Sequence, residues 1–209
     1  MKSSHFTAGI LAALSLSLTP PAFSDEPLTG LSVVEAEDLT YMREEEKLAR
    51  DVYLTMDEYW HNRIFVNIAE SEQTHAEAIQ MLLDKYGLVD PALDAIGYFT
   101  NSELQALYDA LVTRGMASEL EALHVGGLIE EVDMRDIQEA IERADHEDII
   151  NVYESLLCGS RNHLRSFVDA IERQGINYEA QHLTQDEVDA IVASPMERCG
   201  GNGRKRAAG

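Results

Sequence analysis

Apolar residues recur along most of the chain at the spacing of amphipathic helices, and the pattern divides it into four long stretches. The first runs from Val34 to Trp60. It gathers Met42, Leu48, Ala49, Val52, Met56, Tyr59 and Trp60 on one face, and Ser32 with Glu35 reads as a capping box at its start. The second, Ile64–Tyr86, carries Phe65, Ile68, Ile79, Leu82 and Tyr86. It ends at Gly87, and Asp90-Pro91 bars any continuation. The third, Glu119–Arg143, is capped by Ser118 with Glu121 and has two apolar strips. One holds Leu120, Leu123, Met134, Ile137 and Ile141, the other Val125, Leu128, Ile129 and Val132. Gly126-Gly127 would weaken a lone helix, so the pair predicts close approach to a neighbouring helix. The fourth stretch, Glu147–Gln174, turns Ile149, Val152, Tyr153, Leu156, Phe167 and Ile171 inward and ends at Gly175.

A long link separates the second stretch from the third and contains its own amphipathic piece, Ser102–Arg114. Beyond Gly175 the pattern supports one short helix, opened by Thr184 with Glu187 and closed by Ser194-Pro195. The expected fold is therefore all-α: a four-helix bundle over residues 31–175, with an extra helix in one long crossover. Residues 176–209 form a tail whose end, Gly-rich and basic from Gly200, is expected to be disordered.

The first 24 residues stand apart. Lys2, the apolar run Phe6–Leu18, Pro20-Pro21 and the small-residue stretch to Ser24 have the layout of a secretory signal peptide. The run is too short to span a membrane, and no other segment approaches the length needed. The chain is thus expected to be exported, periplasmic or secreted. A formal net charge of −22 argues against nucleic acid and anionic membranes as partners. Export also bears on the two cysteines. Cys158, off the core stripe of the fourth helix, and Cys199 in the tail allow one intramolecular disulfide, which would pin the tail to that helix.

Chemistry enters where charge interrupts the apolar stripes. Four Glu-x-x-His pairs occur: Glu58/His61, Glu72/His75, Glu121/His124 and Glu179/His182. Only Glu72 and His75 fall in the middle of a strongly apolar stripe. Three residues apart on a helix, they can reach one metal ion. A carboxylate buried among Ile and Leu needs a compensating charge, and a cation supplies it. Among the consecutive acids of the first helix, Glu45 points to the centre of the apolar cluster. Glu46 lies on its edge and Glu44 toward the other side. On the third helix Glu130 is central, Glu131 lies to one side, and Asp133 sits close enough to share a ligand with Glu130. His163 lies on the stripe of the fourth helix. Tyr53 reads as a core residue, with a redox neighbour as the other reading.

The order Glu45, Glu72-x-x-His75, Glu130, Ser160-x-x-His163 looks like a duplicated helix pair. In ferritin-like di-metal bundles each half supplies a Glu and a Glu-x-x-His. Oxygen and imidazole donors of this kind suit iron or manganese. The segments MREEEKLARDVY, NIAESEQTHAEA, VGGLIEEVDMRDI and YESLLCGSRNHLRSF resemble the ferritin-like family known as domain of unknown function 2202, over about residues 31–175. That resemblance implies the fold and a metal site, with no established reaction. The wider ferritin-like superfamily implies ferroxidase, peroxidase or oxygenase chemistry at a carboxylate-bridged metal pair. Ser160 departs from the superfamily pattern because one carboxylate is missing there; Asp133 is its substitute, or the site holds one metal or binds the second weakly. Two functions follow as expectations. One is an exported metal-binding protein with ferroxidase or peroxide- and oxygen-reactive chemistry. The other is a non-catalytic periplasmic module for metal binding or interaction. Nothing in the sequence fixes the oligomeric state.

Overall fold

A computed structural model of the chain describes residues 30–199. The expected signal peptide and the Gly-rich end from residue 200 onward lie outside them. Among the described residues there are six helices and no strand: α1 (Val33–Trp60), α2 (Arg63–Tyr86), α3 (Ser102–Gly115), α4 (Glu119–Arg143), α5 (Glu147–Glu172) and α6 (Gln185–Val192). Helix ends agree with the sequence pattern to within a few residues because the capping side chains act locally. Ser32 and Glu35 form the capping box of α1, and Thr184 and Glu187 that of α6. Gly87 closes α2 in the left-handed region, at φ 68°. No helix among the described residues is long and apolar enough to cross a membrane.

The four long helices pack α1 on α2 and α4 on α5, and the pairs meet through α1–α4 and α2–α5. Their apolar residues fall into two clusters. Met56, Phe65, Val125 and Phe167 belong to one; Leu39, Leu83, Ile137 and Tyr153 belong to the other. Along α1 and α5 the chain passes from the second cluster to the first, and along α2 and α4 it passes back. Helices α2 and α4 therefore run parallel, which is why a long crossover must join them. Between the clusters each long helix contributes buried polar residues, including Glu46, Glu72, Glu130 and His163. The core is two hydrocarbon layers with a charged layer between them.

The predicted glycine approach is present but has two different partners. A side chain at Gly126 would collide with the Phe167 ring of α5, and one at Gly127 with the Tyr178 hydroxyl beyond α5. Segment 178–183 docks on α4 through Glu131, which is fully buried. Glu131 accepts hydrogen bonds from the Tyr178 hydroxyl (2.6 Å) and from the backbone N–H groups of Gln181, His182 and Leu183. The side of α4 on which the sequence pattern places Glu131 is thus a docking face. Cys158 and Cys199 are joined by a disulfide, with their α-carbons 5.6 Å apart. Beside it Glu197 is gripped by Arg161 and Arg165.

Candidate metal centre

Three consecutive acids on α1 meet three different neighbours. Successive residues of a helix diverge by about 100°, so a helix packed on several sides can bury all of them. Glu44, expected on an exposed face, is buried and accepts hydrogen bonds from the backbone N–H groups of Thr100 and Asn101 in the crossover. Glu45, expected among the ligands, turns toward α4 and its Asp133 and Asp136. Glu46, placed by periodicity at the edge of the stripe, is 1% exposed and faces α2. A single averaged stripe cannot separate these directions, because α1 contacts α2, α3 and α4.

Glu46, Glu72, His75, Glu130 and His163 come together in the charged layer. Two groups of donor atoms form, each within 4.8 Å: Glu46, Glu72 and His75; and Glu72, Glu130 and His163. Glu72 belongs to both. Its Oε2 lies 2.7 Å from Nδ1 of His75, and its Oε1 lies 2.7 Å from Nδ1 of His163. Outside this bridge, Glu46 Oε2 is 3.3 Å from His75 Nδ1 and Glu130 Oε2 is 3.4 Å from His163 Nδ1. The arrangement is a pseudo-symmetric pair: each histidine has one carboxylate of its own, and both share Glu72. Glu72 Oε1 and His163 Nδ1, although close, are not aligned as a hydrogen bond, and Glu46 Oε1 has no hydrogen-bond partner either.

Surrounding groups hold the donors in place. The Tyr53 hydroxyl donates to Glu130 Oε1 at 2.5 Å, which gives this core tyrosine a direct link to the centre. His163 Nε2 lies 2.9 Å from Ser71 Oγ, leaving Nδ1 to face Glu72 and Glu130. Gly159 on α5 makes room for the other ring: a Cβ there would stand 2.5 Å from His75 Nε2. Sequence reasoning passed over Gly159, because its role depends on which helix faces His75. Ser160 Oγ donates to Asp133 Oδ2 at 2.5 Å, so the carboxylate one turn beyond Glu130 reaches the position that Ser160 leaves without one. Asp133 nonetheless belongs to neither donor group.

The charges in this layer perturb one another strongly. Burial would raise the Glu72 carboxyl, but the imidazolium groups of His163 and His75 prevail and hold it well below the usual range. Burial would lower His163, yet Glu72 and Glu130 raise it to about 10. His75 is likewise raised by Glu72 and Glu46, against the effect of burial. Glu46 rises to about 7, because burial and the nearby Glu72 outweigh the pull of His75. Burial, with Glu46 and Glu130 nearby, pushes Asp133 well up, and burial with Asp133 and Asp136 does the same to Glu45. In the absence of another cation, the protons on the two histidines supply the positive charge that Glu72 needs.

A model of the family described as an uncharacterized protein domain, DUF2202, matches residues 35–195. The chain belongs to that family. The match extends through α6, so the DUF2202 unit includes the docked segment beyond Gly175. This DUF2202 chain is 48% identical over 176 residues to the uncharacterized protein MJ0754 of Methanocaldococcus jannaschii. The alignment covers 84% of this chain and 95% of that protein. The crystal structure of the hypothetical protein MJ0754 matches with a TM-score of 0.79, covering 83% of this chain and 100% of that one.

Proposed function

We propose that this protein is an exported, ferritin-like metal-binding protein that holds iron or manganese in its charged layer. Glu46, Glu72, His75, Glu130 and His163 are the ligands, with Glu72 shared between two positions. One observation carries the reading: opposite oxygens of the Glu72 carboxylate face the Nδ1 atoms of two histidines, and each histidine has a second carboxylate beside it. Buried acceptor atoms without hydrogen-bond partners, Glu46 Oε1 and Glu72 Oε1, fit a cation between them. Oxygen donors with two imidazoles and no thiolate suit iron or manganese. This is also the composition of ferritin-like carboxylate sites, where helices supply Glu and Glu-x-x-His.

When bound, such a metal pair supplies redox chemistry toward oxygen or peroxide, as in a ferroxidase. The protein's own residues bind and orient: Tyr53 fixes Glu130, Ser71 fixes His163, and the hydrocarbon layers on both sides keep water out. Ser160 distinguishes the two positions. The position served by Glu46 and His75 and the one served by Glu130 and His163 differ in their surroundings, so their affinities differ. The Ser160–Asp133 hydrogen bond favours a second reading, a metal-binding module without oxygen chemistry, because it engages a carboxylate that could otherwise join the ligands.

Anaerobic titration of the full chain with Fe(II) and with Mn(II) tests the proposal. Saturable binding is expected, abolished by Glu72→Ala and unchanged by substitution of the exposed Glu77. Both histidines carry protons at neutral pH, Glu46 is partly protonated there, and metal ligation needs all three deprotonated, so uptake should release about two protons from the histidines with a further share from Glu46, and tighten as pH rises from 6 to 9. Oxygen consumption on adding Fe(II) separates the two readings. Metal binding that survives Glu72→Ala would reject the site.

A further inference from the structure

A cavity of about 60 Å³ lies between α1, α3 and α4, and none of the five proposed ligands lines it. Leu107, Leu128 and Val132 reach solvent at its outer end, whereas Ala49, Leu111, Ile129 and Asp133 are buried. The wall is almost wholly hydrocarbon. Its polar residues are Glu45 and Asp133, and both are turned to other partners. Asp133 Oδ2 accepts from Ser160 Oγ, and the Glu45 carboxyl lies against Tyr41 and Asp136.

The inner end is built on the same helical turns as the candidate centre. Ile129 directly precedes Glu130 on α4, and Asp133 lies one turn beyond it. Ala49 lies one turn beyond Glu46 on α1. Asp133 is near enough to Glu46, Glu130 and Glu72 to feel their charges. The cavity thus runs from solvent beside α3 to a wall whose far side is the charged layer.

Wall and size together select an occupant. A buried water needs about two to four polar partners, and the two carboxyl groups here are engaged elsewhere. An ion would exchange its hydration shell for methyl groups, at high cost. An apolar molecule gains by leaving water for such a wall. A cavity of roughly 10–15 Å³ takes one water, and an engineered apolar one of about 150 Å³ takes benzene or xenon. The volume here lies between them and fits an apolar molecule of a few atoms. Oxygen and peroxide are the two oxidants toward which the proposed centre reacts. The hydroxyl groups of hydrogen peroxide would be left unpaired against this wall, and dioxygen has none.

We propose that the pocket beneath α3 takes up dioxygen and passes it, beside Asp133, to the charged layer. Uptake depends on the wall alone; passage rests on the metal-binding reading of that layer.

Dioxygen is paramagnetic and speeds the NMR relaxation of the methyl groups that it visits. Uptake is tested on the metal-free full chain, methyl-labelled, under oxygen and under helium at the same pressure. Excess relaxation is expected at Leu111 and Ile129 relative to Leu83 and Ile137, which are buried in the other apolar cluster. Leu111→Phe puts a ring into the pocket and should abolish that excess. Loaded with Fe(II), the same variant should bind the metal as the parent does and oxidise it more slowly with oxygen, at an unchanged rate with hydrogen peroxide. Leu107→Trp, at the exposed end, gives the same test should Leu111→Phe fail to fold. Equal relaxation at Leu111, Ile129, Leu83 and Ile137 would overturn the proposal without any variant. So would a blocked variant that has lost the excess yet oxidises Fe(II) with oxygen at the parent rate, or one whose peroxide rate falls equally. A chain that binds no Fe(II) would overturn the metal-binding reading, and with it passage, while the relaxation measurement still decides uptake.

Discussion

Gly159 matters to the candidate centre as much as the side chains that form it. His75 can keep its ring between Glu46 and Glu72 only because α5 presents a hydrogen atom at residue 159. Gly159→Ala should therefore act in two opposite ways. Alanine favours the helix by up to about 1 kcal/mol, whereas crowding the ring costs about 1–3 kcal/mol. The expected result is a small change in thermal stability together with a clear loss of Fe(II) or Mn(II) affinity, read by calorimetry. A variant that melts lower but binds metal normally would show that His75 has room to move. Glu46 makes a related point. It directly follows Glu45 in the chain, yet Glu46 faces His75 while Glu45 faces Asp133 and Asp136 of α4.

At the scale of elements, the polar face of α1 anchors the crossover. Lys47, 1% exposed, donates from Nζ to Asp51 Oδ2 (2.5 Å) and to the carbonyls of Ala95 and Tyr98, and it lies over the Phe99 ring. Asp51 also accepts from Arg50 and from the Gly97 N–H. Arg43 pairs with Asp90, and Glu44 holds the N–H groups that lead into α3. Removing one partner of a buried pair leaves the other uncompensated, so Asp51→Ala should cost about 3–5 kcal/mol in urea unfolding. A loss below about 1 kcal/mol would mean that the crossover is held mainly by its apolar contacts. A second anchor links the starts of α1 and α5. Glu35 accepts from the N–H groups of Asp145 and His146, and its Oε1 lies 2.7 Å from His146 Nδ1. Burial opposes the charge on Glu35, but His146 and the N–H groups of Ser32 and Asp145 lower its pKa from 4.5 to about 2. The unfolded chain binds that proton more readily, so the contribution is complete above pH 4.5 and disappears as pH falls toward 2. Glu35→Gln should flatten this part of the stability–pH curve, and an unchanged acid limb would reject the anchor.

Across the whole molecule, the segment beyond α5 is fastened at both ends. Glu131 holds residues 178–183 to α4, and the Cys158–Cys199 disulfide, with Glu197 between Arg161 and Arg165, holds the far end to α5. The bond closes a loop with a sequence separation of 41, a constraint worth about 2–4 kcal/mol against the unfolded chain. Cys199→Ser should lower the unfolding free energy by that amount without changing helix content, because the Glu197 pairs and the Glu131 hydrogen bonds persist. Loss of helical signal at ambient temperature would show that the bond also maintains the fold. Cys158 is the residue next to Gly159, so the same variant reports whether the tail steadies the His75 pocket.

Helices, caps and the inward apolar stripes were legible in the sequence because they depend on periodicity and on side chains within a few residues of one another. Ser32 with Glu35 and Thr184 with Glu187 act within one turn, and the apolar stripe of α2 marks Glu72 and His75 as inward whatever lies opposite. Glu130 and His163 were legible for the same reason. What faces what was not. Glu45 and Glu46 both lie near the apolar stripe of α1, and only the packing of α1 against α2, α3 and α4 decides which one meets His75. Glu44 read as pointing outward and Glu131 only as lying to one side, because their partners are backbone N–H groups of loops 50 or more residues away. Gly159 carries no side-chain signal at all. One helix determines a direction for each residue, but a site forms where directions from several helices meet, and that depends on their relative rotation and height, which no single stretch of sequence contains.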